Sequence, residues 1–366
     1  VKESKNANAI LFNVKDDKLR EREILKSDIV VSMLPASMHI LVAKDCVRLK
    51  KNLVTASYVS NEIAELDSEA TDNGVLLLNE IGLDPGIDHM SAMQIIDTIK
   101  EKGGELTSFK SFCGGLIHPE YDNNPWNYKF TWNPRNVVLA GQGVAQYLDG
   151  GKIKFIPYHN LFEKVECMDI LDVGSFEAYA NRDSLSYRES YGIKNIETLL
   201  RGTLRRKGFS KSWNYFIQLG LTDDSYTILD SENLTYREYL NMFLPMSNKL
   251  NLEEKFCKEF EISESSESFQ KIKWLDIFSN KKVELENATP AQILQKILEE
   301  KWTLCEEDKD MIVMQHQFEF TIDGSRKKLR SSLVVFGDNQ RDTSMAKTVG
   351  LPVAIAVKLI LNGEIN

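Results

Sequence analysis

Val75-Leu-Leu-Leu78, running into Asn79-Glu-Ile-Gly-Leu-Asp-Pro-Gly-Ile-Asp-His89, is the stretch on which the fold turns. The short apolar block follows Asp72-Asn-Gly74 and predicts a buried parallel strand bounded by a turn. Asp84-Pro85-Gly86 then breaks the strand, and from Met90 to Lys100 the apolar spacing is helical. Upstream, strand patterns at residues 9–14, 29–34 and 53–57 alternate with helical patterns at 17–26, 39–50 and 60–73. Pro35 stops the second strand, and Ile40, Ala43 and Val47 form one stripe of the helix after it. Strand and helix in turn predict an α/β fold with a doubly wound, Rossmann-like parallel sheet. Ligands of such sheets sit outside the carboxyl ends of the strands, so the 79–89 turn is expected on the lip of a site.

A chain of 366 residues exceeds what one hydrophobic core supports, which predicts two or three domains. Its 42% hydrophobic and 27% charged residues are those of an ordinary globular protein, and the net charge of -9 argues against nucleic-acid binding. No apolar run reaches the roughly 18 to 20 residues needed to span a bilayer, so no membrane partner is expected. No apolar segment of a secretory signal follows Val1-Lys-Glu-Ser-Lys-Asn6, which points to a cytoplasmic, reducing compartment. The five cysteines, Cys46, Cys113, Cys167, Cys257 and Cys305, are scattered and odd in number, so neither a metal cluster nor a disulfide framework is expected.

Beyond about residue 105 the pattern changes to short strands and aromatic-rich loops, at 106–113, 152–156 and 176–179. Helical spacing is expected from about 195 to 303, and strand patterns return at 311–314, 318–322 and 332–336. The late strands are expected to complete the sheet begun at 106, with the helical stretch as an insertion. The predicted divisions are thus a Rossmann-like domain at 1–90, which 340–366 could rejoin, an α+β domain at 91–194 and 305–339, and a helical domain at 195–304. No Gly-x-Gly-x-x-Gly precedes Ala9, so the first βαβ unit of the sheet is expected to be missing from this chain. Gly141-Gln-Gly143 is a near match without βαβ context and reads as helix or loop.

Several polar groups end apolar stretches. Leu34-Pro35 closes one strand with a segment that could lie against a nucleotide or simply connect strand to helix. Thr55-Ala56-Ser57-Tyr58 ends the next with hydroxyls open to carboxylate or ribose oxygens, while Ser60 can serve as a helix cap. Asp84, Asp88 and His89 are candidates for acid-base work; alternatively Asp84 shapes the Pro85-Gly86 turn and Asp88 caps a helix. Arg182 and the Arg201-Gly-Thr203-Leu204-Arg205 run add guanidiniums at polar turns, which suits a ligand with more than one carboxylate or, more plainly, surface ion pairs. Cys113-Gly114-Gly115 reads as a tight turn or a place of close backbone approach.

These motifs, with Asn124-Pro125, Tyr128-Lys-Phe130, Asn181-Arg-Asp-Ser184, Leu199-Leu-Arg-Gly-Thr-Leu-Arg205, Lys309-Asp-Met-Ile-Val-Met314 and Ser344-Met-Ala-Lys-Thr-Val-Gly-Leu-Pro352, occur in one order along nearly the whole chain. In that order the sequence resembles the saccharopine reductases, the glutamate-forming saccharopine dehydrogenases of lysine metabolism, also found as the C-terminal half of aminoadipic semialdehyde synthase. The resemblance implies a homodimeric NADP(H)-dependent oxidoreductase that interconverts saccharopine with L-glutamate and 2-aminoadipate 6-semialdehyde through an imine. It implies a Rossmann domain for NADP, substrate contacts on the α+β domain, and an inserted helical domain. Carried over by motif, Ser57, Tyr58, Asp84, Arg182, Thr203, Leu204 and Arg205 hold substrate. Leu34, Pro35, Ala56, Ser57, Leu83, Asp84 and Pro85 face the cofactor, and Asp84 is the catalytic candidate. The family's Gly-rich loop and 2′-phosphate-reading basic residue are expected before Val1, and relatives extend past the helix at 354–361. Two other outcomes remain open: a related reductive condensation on a polyamine precursor, and an inactive binding homologue.

Overall fold

The computed structural model describes residues 6–140, 142–247 and 249–365. The chain forms two compact units, Val1–Ala92 with Ala346–Asn366, and Met93–Met345.

The first unit holds a parallel sheet of β1 (Ile29–Val31), β2 (Asn52–Val54) and β3 (Leu77–Leu78), in that order. Registers Val30↔Leu53↔Leu77 and Val31↔Val54↔Leu78 align the strands so that their carboxyl ends fall together. Successive residues of β2 point to opposite faces. Leu53 packs among Ile24, Val42, Ala43, Cys46 and Ile63. Val54 packs on the other face with Val353, Ala356 and Ile360. Helices therefore cover both faces, the doubly wound arrangement that the alternation predicts. The charged helix Asp17–Leu25 is tied down by Arg20, whose Nε donates to Asp45 Oδ2 at 2.6 Å in a buried ion pair.

Three expectations change in this unit. Residues 9–14 form no strand: Ile10, Leu11 and Phe12 are exposed, and no described strand lies beside them to satisfy an extended backbone. The helix expected over 60–73 is two short ones, Asn61–Ala64, capped by Ser60 Oγ on Ile63 N, and Asp67–Asp72. The helix Ser344–Leu361 is, by length and composition, long and apolar enough to cross a membrane, with mean hydropathy 1.6. Its lysines, Lys347 and Lys358, sit near its two ends and leave the middle apolar. The face bearing Val353, Ala356 and Ile360 is the one spent on the sheet.

The second unit is built on an eight-stranded sheet of β4 (Glu105–Ile117), β5 (Ala145–Asp149), β6 (Lys152–Ile156), β7 (Glu166–Asp169), β8 (Ser175–Ala180), β9 (Thr198–Arg206), β10 (Asp310–Ile322) and β11 (Ser325–Phe336). The order is β11-β10-β4-β9-β5-β6, with β8 also on β9 and β7 on β8. β4 and β9 run parallel and the other pairs antiparallel. The late strands do complete the sheet begun near 106. The expected helical stretch, however, opens with β9, a central strand; buried on both sides, it lacks the period-2 signature that marks a half-exposed strand. Gly114 and Gly115, read as a turn or ligand approach, lie inside β4, where a Cβ on Gly114 would press on the Leu204 backbone of β9. Gly141 lies outside the described residues; Gly143 is in a loop with φ +95°.

Helices dominate from Phe209 to Trp302, and the sequence announces three of them with capping boxes: Thr235 with Glu238, Asn251 with Glu254, and Thr289 with Gln292. Between sheet and helices lies an aromatic core in which Trp126, Trp213, Trp302, Phe209 and Phe216 are fully buried.

Candidate active site

Loops leave the carboxyl ends of β1, β2 and β3 at residues 32–35, 55–58 and 79–84. The last is a knot of backbone bonds. Gly82 N donates to Pro85 O at 2.9 Å, Ile87 N to Gly82 O at 2.9 Å, and Gly86 N to Asp88 Oδ1 at 2.7 Å. Gly86 has φ +145°, and a Cβ there would overlap the Gly82 carbonyl, so the turn requires glycine. Asp84 precedes a cis peptide to Pro85 and stays half-buried, while Leu83 and Pro85 are buried beneath it. Tyr58 Oη donates to Asp84 Oδ1 at 2.9 Å, which ties the loop after β2 to the turn after β3. Glu80 joins the same loops: Val59 N donates to its Oε1 at 3.1 Å and His89 Nε2 lies 3.0 Å from its Oε2. The side-chain amide of Asn79 is buried, and neither of its atoms has a hydrogen-bond partner among the described residues. An amide at a strand end with both atoms open can take a ligand's hydrogen bonds.

Ser57 Oγ lies 2.8 Å from His39 Nε2, and His39 Nδ1 lies 2.8 Å from Ser32 Oγ. His39 is 1% exposed, and burial holds its pKa below the ordinary 6.5, so the ring is neutral. Pro35 is exposed and opens the turn Ala36–Met38; Leu34 and Ala56 are half-buried.

In the second unit, β8 runs into Asn181, Arg182, Asp183 and Ser184 beside β9. Thr203 Oγ1 donates to Asn181 Oδ1 at 2.7 Å, and Asn181 N to Arg201 O at 2.8 Å. Gln146 on β5 takes the Arg182 carbonyl through its N at 2.9 Å and donates to Asp183 Oδ1 at 3.0 Å. The Arg182 guanidinium itself is exposed and pairs with no carboxylate among the described residues.

Arg205 is 4% exposed. Its guanidinium lies 5.0 Å over the ring of Tyr128, 5.3 Å over Phe209 and 5.6 Å over Tyr179, and Nη1 donates to Leu204 O at 3.0 Å. Among the described residues Nε has no hydrogen-bond partner, and neither has the buried hydroxyl of Tyr128. Burial pushes that hydroxyl up to about 12, with Arg205 pulling the other way. A buried guanidinium facing rings rather than a carboxylate is costly alone and receptive to an anion. The Leu204 side chain points instead into the core, so only its backbone is on offer.

Within each unit, then, expected residues are brought together: Tyr58 with Asp84 in the first, and Thr203, by way of Asn181, with the Arg182 loop in the second. Sequence reasoning missed His39 with Ser32, the orphaned Asn79 amide, and the aromatic seat of Arg205. His39 could have been found, because it is in phase with the buried Ala43 and Cys46 of its own helix. The seat of Arg205 could not, since Tyr128, Tyr179 and Phe209 are brought to it by separate elements.

Comparison with known proteins bears on the same motifs. Residues 82–366 match the family model described as the saccharopine dehydrogenase C-terminal domain. The chain is 36% identical over 368 residues to the saccharopine dehydrogenase [NADP(+), L-glutamate-forming] of Pyricularia oryzae, covering 98% of this chain and 81% of that protein. It is 38% identical over 371 residues to the mitochondrial alpha-aminoadipic semialdehyde synthase of Mus musculus, covering 99% of this chain but only 40% of that protein. Among solved structures, apo saccharopine dehydrogenase (L-Glu forming) from Saccharomyces cerevisiae superposes with a TM-score of 0.88 at 34% identity, over 98% of this chain and 82% of that one.

Proposed function

The chain belongs to the saccharopine dehydrogenase family, and from that premise we propose that it is an NADP(H)-dependent oxidoreductase of lysine metabolism. Its reaction is the interconversion of saccharopine with L-glutamate and 2-aminoadipate 6-semialdehyde by hydride transfer through an imine. Saccharopine carries three carboxylates and a secondary amine, so its site needs several cationic or hydroxyl donors and an acceptor near the nitrogen. The observation that carries the reading is Arg205, a buried guanidinium without a carboxylate partner among the described residues, with Arg182 exposed and equally unpaired.

In this reading Arg182, Thr203 and Arg205, with the Leu204 backbone, hold carboxylates, and the Ser57 and Tyr58 hydroxyls add donors. Tyr58 fixes one oxygen of Asp84 and thereby aims the carboxylate, which takes the part of acceptor and acid-base group near the amine. The residues at the ends of the parallel strands fit a nicotinamide cofactor. The unpartnered Asn79 amide and the loops at 32–35 and 55–58 leave polar and backbone atoms for it. Leu34, Pro35, Ala56, Ser57 and the backbone of Leu83, Asp84 and Pro85 would hold NADP(H), which when bound supplies the hydride. We assign the first unit to cofactor, the large sheet to substrate and dimerisation, and the helical stretch to covering that sheet. The edge strand β6, with Ile153 and Phe155 exposed, supports a homodimer. Among the described residues Cys46, Cys167, Cys257 and Cys305 are free thiols, which supports a reducing compartment such as the cytosol.

Incubating the intact protein with glutamate, aminoadipate semialdehyde and NADPH should oxidise the cofactor and yield saccharopine. A folded protein that oxidises no NADPH in that mixture would defeat the reading.

A further inference from the structure

The proposed function leaves His39 unused, yet its setting is specific. It opens the helix His39–Arg48 and heads a buried stripe continued by Ala43, Cys46 and Val47, a place where a leucine would pack without polar obligations. Instead an imidazole stands there with both nitrogens engaged, Nδ1 with Ser32 just after β1 and Nε2 with Ser57 just after β2. The ring therefore bridges the ends of neighbouring strands. Burying an imidazole costs free energy unless both nitrogens are bonded, and here both bonds go to hydroxyls whose protons can be directed. One of those hydroxyls is a residue that the proposed function assigns to the ligand.

We propose that His39 is a positioning residue that, held from behind by Ser32, fixes the direction of the Ser57 hydroxyl. The inference rests on the reading of Ser57 as a ligand contact. A neutral imidazole carries one N–H, so two tautomers are available. If Nε2 accepts, Ser57 spends its proton on the ring and can only accept from a ligand. If Nε2 carries the hydrogen, it donates to Ser57 Oγ, Nδ1 accepts from Ser32, and the Ser57 proton points outward. Only the second tautomer gives a donor to a carboxylate, and a tricarboxylate substrate selects it. Ser57 N donates to Thr55 Oγ1 at 3.3 Å, so the backbone is anchored separately and the ring governs the hydroxyl alone.

The test is a double-mutant cycle on the intact protein, reading kcat and KM for saccharopine with NADP, and thermal stability beside them. Ser57→Ala should raise KM for saccharopine roughly ten-fold, the loss of one hydrogen bond to a charged group. His39→Leu should raise it by roughly three- to ten-fold with kcat little changed, and should add less than about two-fold when Ser57 is already alanine. His39→Gln, whose amide can offer a donor near the position of Nε2, should recover most of the loss. Equal cost of His39→Leu in both backgrounds, or a Gln variant as impaired as Leu at unchanged thermal stability, would overturn the assignment. So would an unaltered KM in His39→Leu. A Ser57→Ala variant that leaves KM untouched would remove Ser57 from the site and His39 with it. Absence of saccharopine turnover by the unsubstituted protein would defeat the functional reading as well, so the two failures are told apart.

Discussion

At the ends of the parallel strands the polar side chains lean on one another, Tyr58 on Asp84 and Ser57 on His39 and Ser32, whereas on and beside β9 the guanidiniums of Arg205 and Arg182 have no carboxylate partner among the described residues. The first group is oriented before any ligand arrives, so its contribution to a reaction is direction. The second holds positive charge that no carboxylate among the described residues pairs with, and there a ligand's charge changes the energy most. In the proposed function the first group would supply direction and the second affinity.

The sharpest way to break that division is Arg205→Met. Methionine fills similar volume among Tyr128, Tyr179 and Phe209 and removes a buried charge lacking a counter-ion. We expect kcat/KM for saccharopine to fall by roughly 100-fold or more while the melting temperature holds or rises. A melting temperature that drops with kcat/KM intact would make Arg205 a packing residue. Arg182→Ala comes next. Being exposed, it should leave stability unchanged and raise KM for glutamate, the dicarboxylate of the pair, by roughly 10- to 100-fold, the worth of a charged hydrogen bond. An unaltered KM in steady-state assays would move Arg182 out of the site.

How much of this the sequence discloses follows the same divide. The turn at 79–89 and the strands before it are legible because they are local. Glycine at 86, proline at 85 and a four-residue apolar block each carry their reason within the segment. β9 is not legible, because a strand covered on both faces shows no alternation, and its identity is settled by β4, β5 and β8 from elsewhere in the chain. Residues 9–14 err the other way, having the composition of a strand and no described neighbour to pair with. Among site residues, Asp84 and Arg182 stand out in their motifs, but Arg205 reads as one more polar residue at a turn until the three rings around it are known.

On the oriented side the effects should be smaller. Tyr58→Phe deletes the hydrogen bond that aims Asp84 but leaves both backbones in place. We expect kcat to fall by roughly 3- to 10-fold with affinity for NADPH unchanged, since one exposed hydrogen bond is lost and no charge. An equal loss in NADPH affinity, measured by fluorescence titration, would mean that Tyr58 supports the cofactor rather than the carboxylate.

The smallest effect is on stability, and its sign follows from burial. Desolvation holds the folded-state pKa of His39 below 6.5, while the unfolded chain titrates at its ordinary value. The unfolded state therefore binds a proton first, and the stability that His39 contributes is present above about pH 6.5 and is lost as pH falls through the folded pKa. Between about pH 8 and about pH 5 the unsubstituted protein should lose more of its melting temperature than His39→Gln does, because glutamine has no proton to take up. Parallel melting curves of the two proteins across that range would mean that His39 takes up its proton equally in the folded and the unfolded chain, so that burial does not hold the ring neutral.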